Sequence, residues 1–163
     1  YWNEPKTYLS VLKNYNLDDS VIFSNRDKSL LLFKKLNHTK KVAKKVIIDS
    51  ILNFGATVNV PVSEKIIFLQ LEFKYTILGQ LRKLFFQPSL AQIKINSSKH
   101  HLIKPIAESG IPINILVRNF DEMKNFYNNK ISENQKIKQF TIFGNSRYIC
   151  DKVKFQLISH EIK

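Results

Sequence analysis

The residues able to carry acid–base or metal chemistry are few in this chain of 163 residues. His38, His100, His101 and His160 are its four histidines, and Cys150 is its one cysteine. A zinc or catalytic site needs such donors at ligand spacing with one another or with carboxylates. None of the four histidines shows that spacing, although the adjacent pair His100-His101 raises the question. No carboxylate pair or histidine–carboxylate motif emerges that would combine a general base with a phosphate-stabilising group. A single cysteine excludes an internal disulfide framework and a cysteine-rich zinc module. The expectation is a chain with no catalytic residue, no metal and no cofactor.

Lysine is a different matter. Lys34, Lys35, Lys40, Lys41, Lys44 and Lys45 follow one another with no acidic residue between them. The formal charge is +13, and 14 Lys or Arg between Lys28 and Lys104 face only Asp49, Glu64 and Glu72. That stretch carries +11 and leaves +2 for everything else. Charge concentrated in this way points to a polyanion, because each ammonium that neutralises a phosphate releases condensed counterions. Solubility alone or a membrane surface is the plainer alternative. Farther along, Arg82 and Lys83 stand beside Phe85, Phe86 and Gln87, and Lys94, Lys99, His100 and His101 follow. Cations next to rings suit RNA, where phosphates meet lysine and unstacked bases meet aromatic faces. Packing is the ordinary role of a phenylalanine pair, so at least one of Phe85 and Phe86 is expected in a core or an interface.

These side chains need elements to hold them. Ser29 to Leu36 reads as a strand turning basic at Lys34 and Lys35. Asn37 to Thr39 supplies capping chemistry for a helix. From Thr39 to Phe54, Ala43, Val46, Ile47, Ile51 and Phe54 recur at three- and four-residue steps, which predicts a helix with one apolar stripe. Ile48 and Leu52 would share a side of that helix with Lys41 and Lys45, a face suited to a protein neighbour. Gly55 then reads as the helix stop. Ala56 to Val62 is a return strand reaching an edge proline at Pro61. Ile66 to Leu78 alternates most clearly of all. Gly79 to Pro88 reads as a basic, aromatic loop, Ala91 to Ile95 as a strand, and Asn96 to His101 as a polar loop. Lys104 to Pro112 is a connector rich in punctuation, and Ile113 to Val117 a short buried strand. Phe120 to Lys130 has Asp121 and Glu122 in its first turn and Lys130 near its last, complementing a helix dipole. Lys136 to Phe143 is a closing strand ended by Gly144.

The order is strand, helix, strand, strand, helix, strand, which gives an α+β fold of the ferredoxin-like βαββαβ type. Residues 29–144 would form that RNA-binding domain, with a long loop between its second and third strands from about Gly79 to His101. Residues 1–28 and 145–163 would be extensions, the first with a short helix or turn around Tyr8 to Tyr15, the second with one more strand or an arm around Val153, Phe155 and Leu157. No apolar run reaches the roughly 18 residues needed to span a bilayer. Lysine outnumbers arginine 22 to 4, and Ile, Lys, Asn, Phe and Tyr make 75 of the residues. Those residues have AT-rich codons, so an AT-rich genome such as an organellar one explains the bias without any selection on structure.

Several segments resemble the S-ten family of small-subunit ribosomal proteins. LLLFKKLNH (Leu30 to His38) is similar to that family's basic strand ending in an Asp-His pair, with asparagine here in place of aspartate. IIDSILNFGATVNVPV (Ile47 to Val62) resembles its helix end, Gly-Ala turn and following strand. Tyr75-Thr76-Ile77-Leu78 resembles its Phe-Thr-Ile-Leu segment, Gln92-Ile93-Lys94-Ile95 the far side of its long loop, and Lys136 to Gly144 its closing strand. The family's Ser-Pro-His signature is replaced by Gly79-Gln80-Leu81-Arg82, and its Arg-Thr-His by Asn96-Ser97-Ser98. The S-eight family is similar over Leu71 to Tyr75, Gln87 to Leu90 and Glu108 to Ile111. The S-ten resemblance implies a structural protein of the small-subunit head, mitochondrial in type, bound to small-subunit rRNA and neighbouring ribosomal proteins. Another organelle or an AT-rich bacterium is the alternative source. No membrane and no small-molecule substrate is implied, and no enzymatic activity. The RNA contacts would come from Lys34, Lys35, His38, Lys40, Lys41, Lys44 and Lys45 at a strand–helix corner. On the loop they would come from Arg82, Lys83, Lys94, Lys99, His100 and His101. A small basic nuclease or toxin domain, and a membrane-surface or protein-only adaptor, are the rival classes.

Overall fold

The computed structural model describes residues 5–23, 28–63, 65–96, 100–103, 110–128 and 130–162. Alternation of apolar and polar side chains decides its main architecture. In the strand Lys152–Ile162 (β10), Val153, Phe155 and Leu157 are buried while Lys154 is exposed and Gln156 half-buried. In Ile66–Glu72 (β5), Ile67, Leu69 and Leu71 are buried in the same phase. These two strands pair antiparallel at the centre of a four-stranded sheet, flanked by Val42–Asn53 (β3) and the short Ile111–Pro112 (β8), in the order β3-β10-β5-β8. A second antiparallel sheet contains Thr57–Asn59 (β4), Ala91–Ile95 (β6), His100–Ile103 (β7) and Gln139–Phe143 (β9), in the order β4-β9-β6-β7. Leu69, Phe155 and Leu157 of the first sheet share one buried cluster with Ile93, Phe140 and Ile142 of the second. The two sheets therefore face each other over a common core, and Phe140 meets Phe155 edge-on at 6.1 Å between ring centres.

The fold is α+β, with most of it sheet, and its strand order is not that of a ferredoxin-like βαββαβ sandwich. The main departure is the segment Thr39 to Phe54, which the three-and-four spacing predicts as a helix and which is the twelve-residue strand β3. Val42, Val46, Ile47, Ile48 and Ile51 are β-branched, and such side chains lose rotamer freedom in a helix but fit a pleated surface. The strand's own alternation is concealed because the register with β10 shifts at Ile47, between the pairs Leu157–Ile48 and Ile158–Val46. A bulge of this kind swaps which parity faces the core. Leu52 consequently packs in the core and does not share an outward face with Lys41 and Lys45.

Gly55 does take the left-handed conformation expected of it, at φ +84°. Its role is to turn the chain from β3 in one sheet into β4 in the other, with its N–H donating to the Ile142 carbonyl at 2.9 Å. The expected further strand around Val153, Phe155 and Leu157 is present as β10, which is not a peripheral arm but one of the two interior strands of its sheet, its apolar alternation supplying one wall of the core. The expected long loop from Gly79 to His101 is replaced by a helix, Ile77–Phe85 (α2), and the antiparallel β6–β7 pair. Thr76 caps that helix by accepting from the Gly79 N–H at 3.1 Å, which ends the preceding strand earlier than alternation implied.

The N-terminal helix Pro5–Asn14 (α1) runs into Tyr15–Phe23 (β1), which pairs with Lys28–Lys35 (β2) as a separate two-stranded sheet. A third helix, Phe120–Tyr127 (α3), forms as predicted, capped by Asn119. It joins Ile115 and Val117 in a smaller core against which Leu12 and Ile66 also pack. Phe33 meets Tyr127 edge-on at 4.8 Å, tying the hairpin to α3.

Candidate nucleic-acid interface

Seven of the thirteen predicted RNA-contact residues come together at one corner. Lys34 and Lys35 end β2, opposite Asn16 and Tyr15 of β1. The link from Leu36 to Lys41 is pinned to the α1–β1 junction by several hydrogen bonds. The Leu36 N–H donates to the Asn14 carbonyl at 2.8 Å, and the Lys40 N–H to the Lys13 carbonyl at 3.0 Å. The Thr39 hydroxyl donates to Asn14 Oδ1 at 3.1 Å, and Lys40 Nζ to Asn16 Oδ1 at 2.8 Å. Thr39 and its neighbours therefore anchor a connection and cap no helix. His38 is carried outward on this connection, and Lys44 and Lys45 follow at the start of β3. A strand sends adjacent side chains to opposite faces, so Lys44 and Lys45 bracket the strand.

Lys34, Lys35, Lys41, Lys44 and Lys45 are exposed, and Lys40 is half-buried. Among the described residues, the three ion pairs are Lys65–Glu161, Arg118–Glu122 and Lys136–Glu133, none of which uses a lysine of this corner. Glu161 lies across from Ala43 in the β3–β10 ladder, and its carboxylate holds Lys65 at 3.1 Å. Among the described residues, the corner thus presents exposed ammonium groups that none of these three ion pairs uses.

Beside it lies a cleft of about 620 Å³ whose lining includes Tyr15, Lys40, Lys65, Phe126, Tyr127 and His160. His160 is only 5% exposed, stands opposite Lys44 in the ladder, and meets Phe68 edge-on at 4.5 Å. Its Nδ1 has no hydrogen-bond partner. Burial pushes its imidazole below the ordinary histidine range, and the Lys44 ammonium pushes it further, against an opposing pull from the Ile158 backbone. The sequence offered no signal for this histidine beyond its place in an apolar alternation. Among the described residues, no three His, Cys, Asp or Glu side chains gather as a metal site would require.

The remaining predicted contacts are distributed elsewhere. Arg82 and Lys83 sit on α2, where the Arg82 guanidinium lies 4.8 Å from the Tyr148 ring centre and Lys83 Nζ 5.8 Å from that of Tyr75. Burial pushes the Tyr75 phenol up, which keeps it neutral beneath Lys83. Lys94 is half-buried in β6, level with Thr141 on one side and His100 on the other. His100 and His101 belong to β7, and Lys99 lies outside the described residues. Where one long loop was expected to carry these residues, those described lie on α2, β6 and β7.

One surface was not legible as such. Ile77, Leu81, Leu84 and Phe85 stand at helical spacing on α2, and all are exposed. The signal was present in ILGQLRKLF once Thr76 is taken as a helix cap. No helix among the described residues is long and apolar enough to cross a membrane. No protein-family model, curated protein or solved structure matches this chain.

Proposed function

We propose that this chain is a structural RNA-binding protein of a small ribosomal subunit, mitochondrial in type, that holds small-subunit rRNA without chemistry. The observation that carries the reading is the corner formed by Lys34, Lys35, Lys41, Lys44 and Lys45, all exposed and in none of the three ion pairs found among the described residues. Phosphate is the ligand that offsets such a corner, since counterion release rewards every ammonium that reaches one. Two-sided presentation of Lys44 and Lys45 suits a folded RNA whose strands pass on both sides of β3. The resemblance to S-ten proteins supports the ribosomal setting through Leu30–His38 and Ile47–Val62. The strand order differs from the one it implies, so the corner's charge is the stronger support.

The test is fluorescence anisotropy with a labelled fragment of small-subunit rRNA between 50 and 200 mM salt. Five phosphate contacts at about 0.7–0.9 counterions each give an affinity loss of about 100- to 500-fold over that range. Replacing the five lysines by glutamine is expected to remove most of this slope while the RNA stays intact in both samples. RNA binding with unchanged salt dependence in the glutamine variant would refute the reading, as would cleavage of the RNA by the purified chain.

A further inference from the structure

Helix α2 is docked the wrong way round for a helix that ends its interactions within this chain. Its only buried residue is Gly79. A methyl group there would run into the backbone carbonyl of Tyr148, so the helix backbone lies directly on the Tyr148 segment. Arg82 and Lys83 flank this contact and spread over Tyr148 and Tyr75. An α-helix turns about 100° per residue, so Leu81 points about 160° away from Gly79. Ile77, Leu84 and Phe85 cluster around Leu81 and are 80%, 76% and 77% exposed. Phe86 and Leu90 extend the stripe past the helix end and are exposed as well. Side chains of this size expose on the order of 600 Å² or more together, at the upper end of what a monomer carries without a partner. That area approaches the roughly 800 Å² each partner contributes to a standard protein interface.

The geometry points to this stripe as the docking surface for a separate acidic protein, which receives it in an apolar groove rimmed by carboxylates. Charge selects among the occupants. Arg82 and Lys83 on α2 and Arg147 beside it bring cations to the Tyr148–Tyr75 side of the helix, and the segments 73–92 and 144–150 contain no Asp or Glu, the nearest acids along the chain being Glu72 and Asp151. A second copy of the chain would bring two such sets of cations together, whereas carboxylates on a partner would meet them. Arg82 Nε donates to the Gln87 carbonyl at 3.3 Å, and stacking on Tyr148 leaves its terminal N–H groups for a carboxylate. The nine-residue helix is about 14 Å long, a compact patch suited to a groove and short for a helix lying in a lipid interface. This surface stands independently of the lysine corner and of RNA.

The experiment places a photo-crosslinking benzoylphenylalanine at Phe85 in the full chain, expressed in its source cells, with Lys154 as the control position. The adduct is identified by mass spectrometry, and that protein is then purified and titrated against the chain. The expected result is one acidic protein joined at position 85 and absent at 154. It should bind the purified chain with an affinity at least 30-fold weaker for Leu81→Ser/Leu84→Ser. Circular dichroism of that variant should be unchanged, because neither residue is in the core. Adducts to RNA, to lipid or to a second copy of this chain would overturn the inference. So would no adduct at position 85, or a purified binder indifferent to the double substitution. Loss of RNA binding by the lysine variant with this interaction intact would separate the two surfaces.

Discussion

Gly79→Ala is the sharpest perturbation of the way α2 sits. In a free-standing helix the change stabilises by about 1 kcal/mol, since glycine is the poorer helix former. Here the added methyl meets the Tyr148 carbonyl, which is backbone and cannot swing aside as a side chain can. Overpacking of this kind costs about 1–3 kcal/mol. The same carbonyl accepts from the Thr76 N–H at 3.1 Å, and displacing it adds about 1 kcal/mol. Set against the propensity gain, the net destabilisation is about 1–3 kcal/mol. At this chain length that lowers the melting temperature by about 2–12 °C. Calorimetry of Gly79→Ala beside Gln80→Ala gives the measurement, the control lying on an exposed position and moving within about 2 °C. Hydrogen exchange at the α2 amides supplies a local readout, faster in the variant even where the helix lifts off without global unfolding. A melting temperature at or above that of the wild type, with exchange unchanged, would show that α2 does not rest on Tyr148. The outward orientation of its stripe would then lose its basis.

Two further outcomes follow from buried polar groups. His160 has its imidazole held below the ordinary range by burial and by Lys44, so the unfolded chain binds the extra proton first. The stability this contributes is complete above the unfolded value near pH 6.5 and drains as pH falls toward the depressed folded value. Melting temperatures at pH 7.5 and 5.5 should differ less in His160→Leu than in the wild type, and equal differences would refute it. Asn114 is buried, accepts from the Ile67 N–H at 2.9 Å and donates to the Lys65 carbonyl at 2.8 Å. Asn114→Ala strands both backbone groups, a loss of about 2–4 kcal/mol, read by urea denaturation. A loss under about 1 kcal/mol would mean that those groups find other partners.

What could be read in the sequence divides along physical lines. β5, β6, β9 and α3 were legible because their signals are local: alternation in β6 and β9, a short apolar run passing into alternation in β5, and Asn119, Asp121 and Glu122 at the start of the helix. β3 was not, because its strand character depends on pairing with β10 more than a hundred residues later, and the bulge at Ile47 disguises its period. α2 was missed for the converse reason. Its apolar residues do recur at helical spacing, but they face outward and Gly79 faces in, which inverts the rule that an apolar stripe marks the buried side. The lysine corner was legible as charge, and Lys34 to Lys45 do gather there, on a connection and a strand where a helix was expected. Arg82 and Lys83, expected on one long loop with Lys94, instead sit on α2 stacked on Tyr148 and Tyr75, because sequence proximity to aromatic residues does not reveal which rings a cation will cover.

The register of the first sheet fixes how the two surfaces relate. Lys44 stands opposite His160, and His160 opposite Ile66, so the lysine corner lies where β10 ends and β5 begins. At the other end of the same strands, Asn53 stands opposite Lys152 and Glu72 opposite Lys154. There Tyr75 bridges to Ile149, the Cys150 N–H donates to the Lys74 carbonyl at 2.8 Å, and α2 departs. Between His160 and Lys152 run eight residue steps of β10, about 27 Å of extended chain. That separation exceeds the Debye length of about 8 Å at physiological salt. Phosphate gathered at one end therefore leaves the potential at the other nearly unchanged, and neither ligand blocks the other. On the proposed reading, a two-sheet core with the lysine corner at one end and the apolar face of α2 at the other would bridge RNA and an acidic protein at a fixed spacing, the mechanical task of a structural component in a ribonucleoprotein particle.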